Sequence, residues 1–377
     1  MESVTLAYEK ATNEMKIAIY AQDGSPLGVT PHMIDHRGVG GAELSMMTWA
    51  ETMAHRGHSV TVYNNPETPI GDTAVSYKWQ WEFNPAAPID VFIVYRSPNE
   101  YTPIVNSRLK VHWSTDQQTI GNYAKDIVPH VDQIVCISPR HLSYYQDRYQ
   151  PPQNRIRYID LGVRASDYEG EPPKRNPKQF IFCSVPQRGL MEVAKLWPKI
   201  IERDPACKLV ITSDYTLWGT SANNGNERAR FMGMPGVKFL GAIPRAELAK
   251  HQQESGFHLY PCIYDELFCI SVAETQYAGA IPLTSDMGAI ATTNEWGHQI
   301  EGNPENNGPW HGRFLNLVLA QLKAVDDESS TIEAYREQMI QGAKNRFSWE
   351  RICDQWESMF AELLETKEQE AAHVVSS

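Results

Sequence analysis

Two carboxylates eight positions apart, Glu266 and Glu274, bracket an apolar segment in Pro261-Cys-Ile-Tyr-Asp-Glu266-Leu-Phe-Cys-Ile-Ser-Val-Ala-Glu274. The run Phe257-His-Leu-Tyr260 before it reads as a strand. Ser271 to Ala278 after it reads as a helix, ended by Gly279 and Pro282. A loop between a strand and a helix N-terminus is an anion site, because unpaired backbone N–H groups and the positive end of the helix dipole point there. Carboxylates beside such a site accept hydrogen bonds from sugar and ribose hydroxyls. Phosphate and hydroxyls together describe a nucleotide sugar. Two plainer readings stand next to this one. Ser271-x-x-Glu274 also fits a capping box, in which Glu274 serves its own helix. Glu266 is also readable as a solvated loop acid.

The elements that must position these residues follow from periodicity. Lys16 to Tyr20 reads as a buried parallel strand. Gly38-Val-Gly-Gly41 then opens a helix whose apolar residues Met46, Met47, Ala50, Met53 and Ala54 recur at helical spacing, closed by Gly57. Strands are expected at Val60–Tyr63, Val91–Tyr95, Leu109–Trp113, Gln133–Ile137 and Ile156–Ile159, with a helix starting at Ser138-Pro139. The stretch Asp167 to Lys178 is polar and Pro-rich and reads as a boundary. A second series follows: strands at Phe180–Cys183, Lys208–Thr212, Val237–Leu240, Phe257–Tyr260 and Ile281–Thr284, and helices at Met191–Arg203, Arg245–Glu254 and Ser271–Ala278. Pro282 argues against the last of these strands. Tyr215 to Pro235, with Asn223-Asn-Gly-Asn, reads as a mobile loop. Trp349, Ile352, Trp356, Phe360, Leu363 and Leu364 recur on one helix face, and a frayed tail is expected after Thr366. Strands alternating with helices specify an α/β protein with doubly wound parallel sheets.

Composition narrows the class. The chain has 377 residues, which corresponds to roughly two or three domains. Its net charge of -12 gives no general drive toward nucleic acid or anionic lipid. The six cysteines lack Cys-x-x-Cys spacing and form no Cys/His cluster, so they read as reduced, buried thiols. No Asp-x-Asp metal motif occurs, so no metal ion is expected. The start, Met1-Glu-Ser-Val-Thr, has neither the basic flank nor the apolar core of a signal peptide. With no apolar run approaching the ~18 residues of a membrane span, a cytoplasmic location is expected.

The chain resembles retaining glycosyltransferases of the GT-B fold, specifically glycosyltransferase family 4, over residues of about 16 to 360. Gly40-Gly41-Ala42-Glu43 is similar to the family's N-domain glycine loop, and Arg56-Gly-His-Ser-Val-Thr-Val62 to the run after it. Ile159-Asp-Leu-Gly-Val163 resembles the segment that ends the first domain, and Val237-Lys-Phe-Leu-Gly241 the strand and turn beside the nucleotide base. Pro261 to Glu274 matches the Glu-x7-Glu motif, followed by Gly279-x-x-Pro282 and Ser285-Asp-x-Gly288, and Trp349-Glu-Arg is similar to the start of the closing helix. The resemblance implies two Rossmann-like domains facing a cleft. The two are an acceptor-side domain at 1–170 and a nucleotide-sugar domain at 171–345, followed by a closing helix at 346–365 that returns to the first domain and a tail at 366–377.

It also implies metal-independent transfer, with retention, of a sugar from a UDP or GDP donor, no cofactor being required. Glu266, Arg188 and Asp116 are the implied catalytic residues. Gly40, Gly41, Ser184, Arg188, Glu266, Phe268, Cys269, Ile270 and Glu274 are the implied donor-binding residues. Arg188 and the N–H groups of Phe268, Cys269 and Ile270 would carry the diphosphate, Glu266 the sugar hydroxyls and Glu274 the ribose. The chain departs from the family at two points of the donor site. Ser184-Val-Pro-Gln-Arg188-Gly189 lacks the first of two usual cations, and Cys269 stands where a glycine is usual. Thr115 or Asp116 occupies the place of a histidine often found near the donor sugar, and His112 should face elsewhere. Trp79, Trp81 and Tyr95 are readable as a stacking wall for an acceptor or as ordinary packing. The acceptor is open: a carbohydrate, lipid or small molecule is favoured, with modified DNA bases possible. A GT-B nucleotide-sugar epimerase, an NAD-dependent Rossmann enzyme and a non-catalytic sugar-binding protein are the competing readings.

Overall fold

The computed structural model describes residues 14–22, 28–218, 225–327 and 330–376. The first half contains strands β1 (Lys16–Ala21), β2 (Ser59–Tyr63), β3 (Ser76–Lys78), β4 (Ile89–Tyr95), β5 (Ser107–Trp113), β6 (Gln133–Cys136) and β7 (Ile156–Tyr158). Its helices are α1 (Pro31–His36), α2 (Gly41–His55), α3 (Tyr123–Asp126) and α4 (Pro139–Tyr149). The second half contains β8 (Asn176–Phe182), β9 (Lys208–Ile211), β10 (Val237–Phe239), β11 (Ser255–Tyr260), β12 (Ile281–Ser285) and β13 (His298–Ile300). Between and after these run α5 (Leu190–Arg203), α6 (Gly225–Phe231), α7 (Arg245–Glu254), α8 (Ile270–Ala278), α9 (Ile290–Thr293), α10 (Gly308–Asp326), α11 (Ser330–Arg346) and α12 (Trp349–Ser376).

The strands form two wholly parallel sheets, ordered 3-2-1-4-5-6-7 and 10-9-8-11-12-13. Both faces of a parallel sheet are covered by helices, so its strands are apolar throughout. Ile17 to Ala21 and Val91 to Tyr95 are buried along their whole length. In each sheet the strand order reverses next to its first strand, between β1 and β4 and between β8 and β11. Ligands of open α/β sheets bind at such reversals, beyond the carboxyl ends of the strands.

Pro282 does lie in a strand. β13 joins β12 only from Leu283 onward, so the proline sits at the strand's start, where a missing N–H is tolerated. Tyr215–Trp218 forms a 3₁₀ turn, and α6 replaces part of the expected loop because Phe231 is buried against Phe239. Asn223 and Asn224 lie outside the described residues. The polar boundary is shorter than expected, since β8 begins at Asn176 and the Asp167 side chain is only 4% exposed. The frayed tail is also corrected, because α12 continues to Ser376, helped by Lys367 pairing with Asp132.

α12 returns to the first sheet. Trp356 packs between Trp49 of α2 and Trp113 of β5, with ring centroids 5.1 and 5.2 Å away. Glu357 accepts from Arg56 and meets His58 at 3.0 Å. All six cysteines are free and buried. No helix among the described residues is long and apolar enough to cross a membrane.

Three buried histidines give the fold a pH dependence. Burial holds the pKa of His112 down at about 4 and those of His141 and His258 at about 3, all from an ordinary 6.5. The folded chain keeps these rings neutral while the unfolded chain protonates them near pH 6.5. The unfolded state therefore binds more protons below that pH, and stability falls on acidification from pH 6.5 toward pH 4 by up to ~1.4 kcal/mol per unit for each ring. Urea denaturation at pH 7 and pH 5 should show the loss, and His258→Gln should reduce it by the share of one ring in three. Equal stability at the two pH values would refute this account.

Candidate functional site

Glu266 and Arg188 follow β11 and β8, the two strands flanking the order reversal of the second sheet. Glu266 sits in the loop before α8, where its backbone bridges to Gly288 and its carbonyl accepts from Ala289. Its side chain is 4% exposed, so the solvated loop reading fails. Both carboxylate oxygens accept from Nη1 of Arg188 at 2.8 Å, and Oε1 also accepts from the Tyr260 hydroxyl at 2.8 Å. The guanidinium lies over the Tyr264 ring, 4.6 Å from its centroid. Burial disfavours the Arg188 charge, but Glu266 outweighs it and the pKa rises above the ordinary arginine value. The expected diphosphate ligand is thus paired, in this state, with the expected sugar ligand.

The loop carrying Arg188 is held against the loop carrying Glu266 at Gly189. That residue has φ +117°, and a Cβ on it would lie 2.3 Å from the carbonyl oxygen of Pro261. Gly189→Ala is expected to destabilise the fold by ~3 kcal/mol, combining left-handed strain with a backbone clash. A denaturation midpoint equal to that of the parent would contradict this.

Cys269 explains its own oddity. It is the N-cap of α8 with φ +72° and ψ +73°, a left-handed conformation that glycine adopts without strain. Helix α8 then begins at Ile270, so Ser271 is inside the helix and not its cap. The capping-box reading of Glu274 therefore fails. Glu274 instead accepts from Arg245 at 2.7 Å through Oε1 and from Gln252 at 3.1 Å through Oε2. The first N–H groups of α8 have no carbonyl within the helix to bond, and Phe268, Cys269 and Ile270 line the cleft.

The first half supplies the opposite wall. Gly41 approaches the first residue of α8 so closely that a Cβ would lie 2.5 Å from Cγ2 of Ile270, and a Cβ on Gly40 would lie 2.8 Å from the Leu217 carbonyl oxygen. Asp116 accepts from Nε of Arg96 at 2.5 Å, and Nη1 of Arg96 donates to Glu43 at 2.8 Å. Ser184 lies 3.3 Å from the Tyr260 hydroxyl. One cavity of about 230 Å³ is lined by Gly40, Gly41, Asp116, Ser184, Arg188, Glu266, Phe268, Cys269, Ile270 and Glu274. Between the two halves, Arg140 pairs bidentately with Asp265, and Gln117 of the cavity lining donates to the Asp265 carbonyl. The cavity volume lies below the ~300–1,000 Å³ usual for small-molecule sites.

Other residues fall elsewhere. Tyr95 is fully buried, its hydroxyl donating to the Ala42 carbonyl, so it belongs to no acceptor wall. Trp79 and Trp81 are exposed and outside the cavity lining. His112 is buried against the Val94 carbonyl and does not face the cleft. Sequence reasoning missed Arg96, Arg140 and Arg245. Arg96 had one signal, its place directly after β4. Among the described residues, no group of three His, Cys, Asp or Glu side chains is placed to hold a metal ion.

No protein-family model matches the chain, and no curated protein matches it in sequence. Solved structures do match its shape. A glycosyltransferase from Rickettsia africae superposes with a TM-score of 0.69 at 12% identity, covering 93% of this chain and 99% of that one. Anabaena Alr3699/HepE, solved with UDP-glucose, gives 0.63 at 13% identity over 94% and 100%. Sucrose-phosphate synthase from Thermosynechococcus elongatus gives 0.64 at 16% identity over 94% and 100%. Two parallel sheets of seven and six strands, facing each other across a cleft and matched by these structures over nearly their whole length, make this a GT-B fold.

Proposed function

We propose that the chain is a retaining, metal-independent glycosyltransferase of family 4 that moves a sugar from a UDP or GDP donor to an acceptor. The observation that carries this reading is the convergence in one cavity of a helix N-terminus, a cation and two buried carboxylates from the second half, opposite a glycine loop from the first. Anion, hydroxyl and acceptor sites lie within reach of one another there. Residues 1–170 form the acceptor side and 171–345 the donor side, with 346–365 closing back on the first.

In this reading the diphosphate lies at the N-terminus of α8, where N–H groups and the dipole stabilise it. The donor competes with Glu266 for Arg188, and its sugar hydroxyls take up the acceptor capacity of Glu266 that this releases. As the glycosidic bond breaks, negative charge grows on the leaving phosphate beside Arg188 and the α8 N–H groups. Once the bound donor has drawn Arg188 from Glu266, these groups stabilise that charge where it develops. Asp116, held by Arg96, faces the reacting sugar or acceptor. No cofactor is required, and a cytoplasmic location fits the reading.

A thermal-shift panel of UDP, GDP and their sugar conjugates tests donor binding, since a ligand of the folded state raises its melting temperature. The product's anomeric configuration tests retention. Isomerised nucleotide sugar formed without any acceptor would show an epimerase. No shift with any nucleotide would remove the donor site altogether.

A further inference from the structure

Two side chains of the connecting segment reach the inner wall of the cleft through buried intermediaries. Asp167 accepts from Nε of Arg245 at 3.0 Å and lies 2.9 Å from its Nη2, which donates to Glu274 at 2.7 Å. Tyr168 donates to Oε1 of Gln252 at 2.5 Å, and Nε2 of Gln252 donates to Glu274 at 3.1 Å. Each oxygen of the Glu274 carboxylate is thus held by a residue that the segment between the two halves itself holds. Side-chain exposures of 4%, 5% and 3% for Asp167, Arg245 and Glu274 keep solvent from weakening the line of charges. Arg164 pairs with the other oxygen of Asp167 at 2.9 Å, so two guanidiniums balance two carboxylates.

We propose that Asp167 and Tyr168 are positioning residues for the nucleoside end of the donor site. The inference rests on the reading of Glu274 as the ribose ligand. With Asp167 in place, Arg245 is shared and Glu274 keeps lone pairs for hydroxyls. Without that charge, Arg245 turns wholly onto Glu274 and occupies the oxygen that a ribose hydroxyl needs. Tyr168 does the same service for Gln252, fixing its amide so that the NH₂ and not the carbonyl meets Glu274. Because both residues lie in the segment between the two halves, a shift of that segment when the cleft opens is passed directly to the ribose ligand.

The test is calorimetric titration of the full chain with UDP and with 2′,3′-dideoxy-UDP, and in parallel with the two guanosine forms. The parent should prefer the ribose form. Asp167→Asn keeps size and removes charge. It should weaken UDP binding about tenfold, the scale of a hydrogen bond to a charged group, and leave dideoxy-UDP binding unchanged, so that the preference collapses. Tyr168→Phe should act in the same direction more weakly. Equal weakening of both ligands, or no change in either, would overturn the proposal, since a merely structural role cannot single out the hydroxyls. A parent that binds UDP without preferring it to the dideoxy form would instead remove Glu274 as ribose ligand, and one that binds no nucleotide would remove the donor site. Both outcomes take the proposal with them.

Discussion

Glu266→Gln is expected to lower transfer from a nucleotide sugar by about 10²–10³-fold, the scale of removing one preorganised polar contact to the reacting centre. The amide keeps the carboxylate's shape and an acceptor oxygen, so the hydrogen bond from the Tyr260 hydroxyl should survive. What it loses is negative charge. Arg188 then keeps a weaker partner, and the site has one strong acceptor fewer for sugar hydroxyls. Donor binding need not fall in parallel, because Arg188 becomes freer to hold the diphosphate. The expected signature is a loss in kcat larger than the rise in KM, measured by release of the nucleoside diphosphate, with a circular-dichroism melt confirming the fold. Undiminished turnover would remove Glu266 from the catalytic reading.

Trp356→Ala is expected to cost about 3–5 kcal/mol of stability, the range for emptying a large aromatic site. The ring is 1% exposed and meets both Trp49 and Trp113. Neighbouring α12 residues Ile352, Cys353, Met359 and Phe360 are buried in the same core. Loss of the indole therefore loosens the attachment of the closing helix to the first half. The bonds of Glu357 to Arg56 and His58 lie one residue on and should weaken with it. Trp356→Phe should cost less, because a smaller cavity remains. Guanidinium denaturation checks both, and a Trp356→Ala midpoint within error of the parent would show that α12 is held elsewhere.

The contrast between these two residues shows where local sequence is informative. Trp356 was legible because it repeats with Ile352 and Phe360 at helical spacing, and a one-sided stripe of that bulk must be buried. Glu266 was legible as a position and not as a contact. Its strand, loop and helix could be placed from neighbours within ten residues, yet its partner Arg188 is 78 positions away. Where local signals failed, the cause was tertiary. A helix formed at Gly225–Phe231 because the core of the second half buries Phe231, and α12 outran its apolar stripe because surface ion pairs reach it.

The sequence by itself determined the alternation of strands and helices, the burial of both sheets and the helix N-terminus after Glu266, since each depends on side-chain periodicity and on glycine or proline at fixed offsets. Only the tertiary structure decided which charges meet. It gave Arg188 to Glu266 and Arg96 to Asp116. It took Glu274 from its own helix and gave it to Arg245, and through that residue to Asp167. Ion pairs form between groups brought close by the packing of whole elements. Their partners carry no spacing rule along the chain, so no reading of the sequence alone could have joined them.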